Sequence, residues 1–274
     1  MSGRIYEPAD KIAGFVRRFV TKHWYRYVSS VFMDPRVVFL NYGYADLDGD
    51  TAKLGLQTID EPNRYSIQLY HHAASAIDLN RLGVLEVSCG HGGGASYMMR
   101  YLKPKFIVAV DRNGKAMDSC KRHSSVDGLS FSQGDAESLQ FLDNTFDVIV
   151  NVEASHCYGD MDRFLSEVAR VLRPGGYFLF ADIRFRSEGR RLHEQLVRSS
   201  LEIIKQEVIS PNVVRGLELD SERRLNLIAQ LVPKMLRQLF RQFAGVKGSQ
   251  LYKGLRSGGQ VYVSYALQKP SRPV

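Results

Sequence analysis

The sequence predicts an α/β protein, a doubly wound sheet with a helical lid. Three observations carry that expectation. From Gly83 onward short apolar runs alternate with helix-like segments; the first run leads directly into a glycine-rich turn; and the segments flanking this block read as helices. Runs of four to six residues with little alternation suit strands buried on both faces, and helices between them imply a parallel sheet of βαβ units. The 274 residues suffice for one sizeable core with an accessory region.

The elements follow in order. Ile12, Phe15, Val16, Phe19, Val20, Tyr27, Val28 and Val31 have helical spacing, so a helix is expected over Lys11 to Phe32. Arg17, Arg18, Lys22 and Arg26 surround its stripe, and such a helix can lie on a membrane surface or pack on its own domain. Asp34-Pro35 ends it, Gly43 to Gly55 reads as loop, and a second helix is expected from Asn63 to about Asp78. The strand candidates are Val84–Val87, Phe106–Val110, Leu129–Phe131, Phe146–Val150 and Tyr177–Ala181. Ser187 to Phe243 reads as helices broken near Pro211 and Pro233, an insertion after the fifth strand. Gln260 to Leu267 alternates apolar and polar residues and is expected to return as an edge hairpin strand. The expected division is 1–80 N-terminal helices and lid, 81–186 core, 187–243 helical insertion, and 244–274 strands completing the sheet. Only the C-terminal tail reads as disordered.

Composition narrows the classes. Hydrophobic residues at 44% and charged residues at 24% are ordinary for a globular protein. No apolar run is long enough to span a bilayer, and no secretory pattern marks the N-terminus. Cys89, Cys120 and Cys157 are an odd number without metal-like spacing, which reads as reduced thiols in a cytoplasm. The net charge of +8 is uneven: from Arg186 onward 16 Lys/Arg face 7 Asp/Glu. That excess suits anionic lipid, with peripheral contact at the inner membrane face, an acidic substrate, or simply a solvated helical surface. No nucleic-acid motif accompanies it, so that partner is not expected.

The cofactor reading rests on Val84 to Ala95, a strand running through a glycine-rich turn into a helix starting near Ala95. Glycines serve where the backbone takes positive φ and a ligand must approach closely. Here the spacing is Gly90-x-Gly92-x-Gly94, not G-x-G-x-x-G, and Glu86 precedes the turn. A carboxylate there repels a pyrophosphate but can fix an ammonium group, which suits the amino-acid half of S-adenosylmethionine. Asp111 ends the second strand, where it can accept both ribose hydroxyls. Asp135 follows the third, where it can take the adenine amino group. Ser88, Gly90, Arg112, Ala136, Asn151 and Glu153 complete the candidate cofactor set. S-adenosylhomocysteine is then the product. Asp143-x-x-Phe146-Asp147-Val148-Ile149 and Leu172-Arg173-Pro174-Gly175-Gly176 follow in the order such a fold requires.

The run from Glu86 to Asp182 resembles class I methyltransferases. From about Val38 onward the chain is similar to the mycobacterial lipid O-methyltransferases, the phthiotriol/phenolphthiotriol dimycocerosate and glycopeptidolipid fatty-acyl enzymes. Asp60 to Arg64, Leu85 to Ala95, Asn151 to Tyr158 and Val171 to Tyr177 carry the resemblance. It is weakest in the N-terminal helix. The resemblance implies a Rossmann-like seven-stranded sheet, S-adenosylmethionine as donor, and a hydroxyl of a long-chain lipid, glycolipid or lipopeptide as acceptor.

Methyl transfer from a sulfonium is an in-line displacement that depends on alignment and exclusion of water. An alcohol acceptor benefits from a base, whereas a carboxylate needs none. His156, after the fourth strand, is the candidate base; the bland alternative is a histidine that caps its loop. Glu153 either orients it or binds main-chain amides. A Cys157–His156 pair is not expected, because neighbours on an extended chain point apart. His71-His72 do not share a helix face, and no metal is expected. Tyr44 is the lid tyrosine that best matches the resembling family, expected near His156 or the substrate, or else only packed. The 187–243 insertion is expected to form the other wall of the acceptor site, with most of its apolar residues packed against the sheet and a subset lining a lipid channel. Three competing readings are carboxyl methylation, a non-catalytic cofactor- or lipid-binding subunit, and a nicotinamide oxidoreductase. Glu86, Asp111, Asp135 and His156 together argue against the subunit, and Glu86 against the oxidoreductase.

Overall fold

The computed structural model describes residues 34, 36–47, 54–123 and 126–271. The helix expected over Lys11 to Phe32, Pro35, the middle of the 43–55 loop and the tail 272–274 lie outside the described residues.

Seven strands form one sheet. They are β1 (Gly83–Val87), β2 (Phe106–Asp111), β3 (Leu129–Gln133), β4 (Phe146–Val152), β5 (Leu172–Phe185), β6 (Glu202–Val208) and β7 (Gln260–Gln268). Their order is β3-β2-β1-β4-β5-β7-β6. The first five are parallel, and β7 runs antiparallel to both β5 and β6. The helices are α1 (Arg64–Ala74), α2 (Gly93–Tyr97), α3 (Gly114–His123), α4 (Met161–Val171), α5 (Arg186–Arg198), α6 (Ser210–Leu231), α7 (Arg237–Phe243) and α8 (Gln250–Ser257).

Apolar runs become central strands because each face has its own core. Val84, Val148 and Leu179 pack with Ile67 and Leu69 of α1, Met117 of α3 and Leu217 of α6. Their neighbours Leu85, Ile149 and Phe178 pack with Phe164 and Val168 of α4 and Leu196 of α5. Alternate side chains point to opposite faces, so a strand covered on both reads as a continuous apolar run.

Several expectations are corrected. Residues 202–208, expected to be helical, form strand β6. Its β-branched Ile203, Ile204 and Val208 favour extended backbone, and exposed Glu202 and Lys205 suit the sheet edge it occupies. β7 is therefore not an edge hairpin strand: it lies between β5 and β6, with Tyr262 buried in one core and Val263 in the other. Pro211 does not break a helix but sits in the first turn of α6, where its missing N–H costs nothing. Leu172–Gly176, which precedes the expected fifth strand Tyr177–Ala181, is absorbed into β5 as an irregularity. Phe146 pairs with Leu172, then Val148 with Tyr177. The second helix ends at Ala74, earlier than expected, and α2 begins at Gly93, two residues before Ala95.

Candidate active site

The strand order reverses between β1 and β4, and in a doubly wound sheet the crevice beyond such a switch point is where ligands bind. A cavity lies there. Its floor is the turn after β1, and residues 38–41 form a strap across one side. The strap is tied down by backbone: Gly93 N donates to Val38 O at 3.2 Å, and Tyr42 N donates to Glu153 Oε2 at 2.8 Å.

The turn explains its glycines in two ways. Gly90, at φ +58°, lines the cavity, and a Cβ there meets only Leu40 Cδ1 at 3.5 Å. The following three answer to protein neighbours. A Cβ on Gly92 falls 2.6 Å from the Phe131 ring, one on Gly93 falls 2.5 Å from Val38 O, and one on Gly94 falls inside the Tyr70 ring. Only Gly90 borders the space a ligand would fill.

Of the expected cofactor residues, Ser88, Gly90, Asp111 and Arg112 line the cavity, as do Asp135, Ala136 and Glu153. Asp111 Oδ2 accepts from Gly90 N at 2.9 Å and its Oδ1 accepts from Asn113 N at 2.8 Å. Burial raises its pKa despite these bonds. Asp135 pairs with Arg112 at 3.0 Å. Glu153, at φ +53°, also accepts from the Tyr262 hydroxyl at 2.8 Å, and burial pushes its carboxyl up to about 8.

Glu86 and Asn151 stand behind the cavity wall. Glu86 is buried, accepts from the Tyr70 hydroxyl at 2.7 Å, and has its carboxyl pushed up by burial to about 8. Its Oε2 has no hydrogen-bond partner among the described residues. Asn151 Nδ2 donates to Val87 O at 2.9 Å and to the Tyr158 hydroxyl at 2.8 Å, and that hydroxyl lies 2.7 Å from Ser88 Oγ. Tyr70 and Tyr158, both unforeseen, thus screen these two residues while lining the cavity themselves. Helix and loop tyrosines carry no sequence pattern that singles them out.

His156 is held by a residue that sequence reasoning did not name. Its Nδ1 lies 2.7 Å from Asp182 Oδ1, and its backbone N–H donates to Asp182 Oδ2 at 2.9 Å. Ser155 Oγ donates to the same oxygen at 2.6 Å, and buried Arg184 pairs with it at 2.9 Å. Burial alone would raise the Asp182 pKa, but Arg184 and His156 hold it far below the usual carboxylate range. An ionised carboxylate only accepts, so Nδ1 carries the proton and Nε2 presents a lone pair whenever the ring is neutral. Burial also opposes charge on His156, yet Cys157 and Asp182 raise its pKa well above the ordinary value. His156 does not itself line the cavity; Ala154 and Cys157 on either side do. Asp182 closes the apolar run of β5 as Asp111 closes that of β2, a signal that was available.

Three placements bear on the expectations, and Glu153 takes the alternative given for it by binding the Tyr42 main-chain amide. Asp182, not Glu153, orients His156. The loop is also not extended: Ser155–Cys157 form a 3₁₀ turn, which lets the Cys157 side chain meet His156. Tyr44 is not set beside His156. Its ring stacks on His72 at 4.6 Å, and its hydroxyl is bonded to Asp46. His71 instead meets the Tyr97 hydroxyl at 2.7 Å, so the two histidines serve different neighbours. Among the described residues no cluster of three His, Cys, Asp or Glu has metal-binding geometry.

Residues 85–180 match the model of a family described as a methyltransferase domain. Over 250 residues the chain is 42% identical to the phthiotriol/phenolphthiotriol dimycocerosates methyltransferase of Mycobacterium tuberculosis, spanning 91% of this chain and 92% of that protein. It is 41% identical over 247 residues to the fatty-acid O-methyltransferase of Mycolicibacterium smegmatis, spanning 90% and 89%. In fold it is similar to geranyl diphosphate C-methyltransferase from Streptomyces coelicolor, solved with Mg2+, geranyl diphosphate and S-adenosyl-L-homocysteine. There the TM-score is 0.64 at 15% identity, over 89% of this chain and 97% of that one.

Proposed function

We propose that this chain, which belongs to the methyltransferase family of the phthiotriol/phenolphthiotriol dimycocerosates methyltransferases and the fatty-acid O-methyltransferase, methylates a hydroxyl on a long-chain lipid or lipid-linked acceptor. The observation that carries the hydroxyl reading is the 2.7 Å contact between His156 Nδ1 and the ionised Asp182. A carboxylate acceptor would have no use for such a base.

The cavity fits the donor. Asp111, Asp135, Glu137 and Glu153 line it, and burial raises the Asp111 and Glu153 carboxyls. A cationic ligand favours the charged form of carboxyls that burial penalises. S-adenosylmethionine, when bound, supplies the electrophilic methyl of a sulfonium and leaves as S-adenosylhomocysteine. Asp111 would hold its ribose hydroxyls, Asp135 its adenine amino group, and Ser88 and Gly90 its amino-acid end. His156 Nε2 takes the proton of the acceptor hydroxyl, and Asp182 holds the ring in the tautomer that permits this. A positioned base of this kind is worth roughly 10²- to 10⁴-fold in rate. Residues 81–186 serve the donor in this reading. The strap and the 187–243 segment cover the acceptor side, and Tyr44 supports the strap by packing.

No helix among the described residues is long and apolar enough to cross a membrane. The place of work in this reading is the cytoplasmic side of a membrane, with peripheral contact to anionic lipid. A second reading is carboxyl methylation, which the 41% identity to a fatty-acid O-methyltransferase favours. The deciding test is transfer of labelled methyl to a total lipid extract, followed by mild alkali. Label that survives marks an ether, as proposed. Label that is released marks an ester and overturns the hydroxyl reading.

A further inference from the structure

A second cavity lies on the far side of the strap. Phe39 and Leu40 contribute to both cavities; Leu227 and Ile228 of α6 and Phe240 and Phe243 of α7 wall the second. The arginines at its border are already engaged. Arg224 donates to Asp220, Ala244 O and Asn41 O, and Arg223 is bound to Asp220. What remains is an apolar chamber separated from the donor cavity by a few strap residues.

The same short stretch that walls this chamber also carries an unusual outer surface. Met235 is 88% exposed and Leu239 is 46% exposed, and Lys234 and Arg241 beside them are exposed as well. Arg237 points inward instead, donating to Val232 O and Ala229 O at the end of α6. From Arg223 to Val274 the sequence has ten Lys/Arg and no Asp or Glu. Exposed aliphatic side chains framed by cations, in a region without a single acid, complement an anionic bilayer. A nucleic acid would use the cations but gain nothing from Met235 and Leu239.

We propose that residues 234–241 dock on an anionic membrane, with Met235 and Leu239 among the headgroups and Lys234 and Arg241 on their phosphates. The apolar chamber then opens beside the membrane, and an acyl chain passes into it without crossing water. This assignment rests on the lipid-acceptor reading, but its test does not require turnover. The whole chain is floated with phosphatidylglycerol/phosphatidylcholine vesicles and, separately, with phosphatidylcholine alone. The expected result is binding to the anionic vesicles that falls at least tenfold in the double variant Met235→Asp/Leu239→Asp. A second double variant, Lys234→Gln/Arg241→Gln, removes no apolar contact and should also weaken binding, by about 25-fold, since each of the two cations near such a surface contributes about fivefold. Transfer to a short, water-soluble acceptor should stay unchanged in both. Wild-type protein that ignores anionic vesicles, or a lysine/arginine double variant that binds them as wild type does, overturns the proposal. Loss of transfer by every protein, with vesicle binding intact, would instead strike at the lipid-methylation reading alone.

Discussion

In the proposed reading, the donor side and the acceptor side of this molecule are built by different rules. Around the donor cavity, residues 81–186 bring short polar side chains to the ends of buried strands, where the sheet fixes each one. Asp111 and Asp135 both line the cavity. On the acceptor side the work falls to a strap, a loop turn and helices. Their side chains are placed by tertiary contacts such as Asn41 Nδ2 to Ser66 O and Arg224 to Asn41 O. The donor site is thus inherited from the sheet, whereas the acceptor site is assembled around it.

The largest effect should come from the one group where the two sides meet in chemistry. His156→Ala is expected to lower kcat by roughly 10²- to 10⁴-fold while leaving donor binding, read by calorimetry, within twofold of wild type. Equal losses in both would place His156 among the donor ligands and blur the comparison. Asp182→Asn comes next. It keeps the shape but removes the charge that fixes the tautomer, so a fall of at least tenfold in kcat is expected with KM little changed.

The donor side can be tested through its glycines. Gly94→Ala puts a methyl into the Tyr70 ring, and overpacking of that kind should cost roughly 3 kcal/mol, read as a lowered denaturant midpoint. Gly90→Ala meets nothing closer than 3.5 Å and should cost only the left-handed backbone penalty, about 1–2 kcal/mol, but weaken donor binding more than Gly94→Ala does. The smallest effect belongs to Tyr44→Phe. With the hydroxyl on Asp46 and the ring on His72, kinetics should stay within twofold of wild type.

The same contrast decides what could be read without coordinates. The central strands were legible because burial on two faces demands unbroken apolar runs, as in Phe146–Val152. β6 was not, since an edge strand with one exposed, charged face looks like the surface of a helix. The strand-end acids Asp111 and Asp135 were legible as candidates and line the cavity, and Asp182 closes the apolar run of β5 in the same way but holds His156. Glu86 was legible as the acid that precedes the glycine turn, but its burial was not. Its screening by Tyr70, on a helix that precedes the sheet, depends on packing that no local pattern encodes. Tyr44 had two readings, a role by family position and packing alone, and the stack on His72 accords with packing.

The central claim is that Asp182 sets His156 as the base for a hydroxyl acceptor. Asp182 and Cys157 raise the His156 pKa, and the ring must be neutral to take a proton from the acceptor. The direct measurement is kcat/KM against pH, from about 6 to 9.5, for wild type and Asp182→Asn with the same lipid alcohol. The account predicts that the wild-type rate climbs with pH through an ionisation above the ordinary imidazole value, and that this limb moves to lower pH once the carboxylate is gone. A rate that is flat with pH in the wild type, or a limb that stays in place in Asp182→Asn, would contradict it.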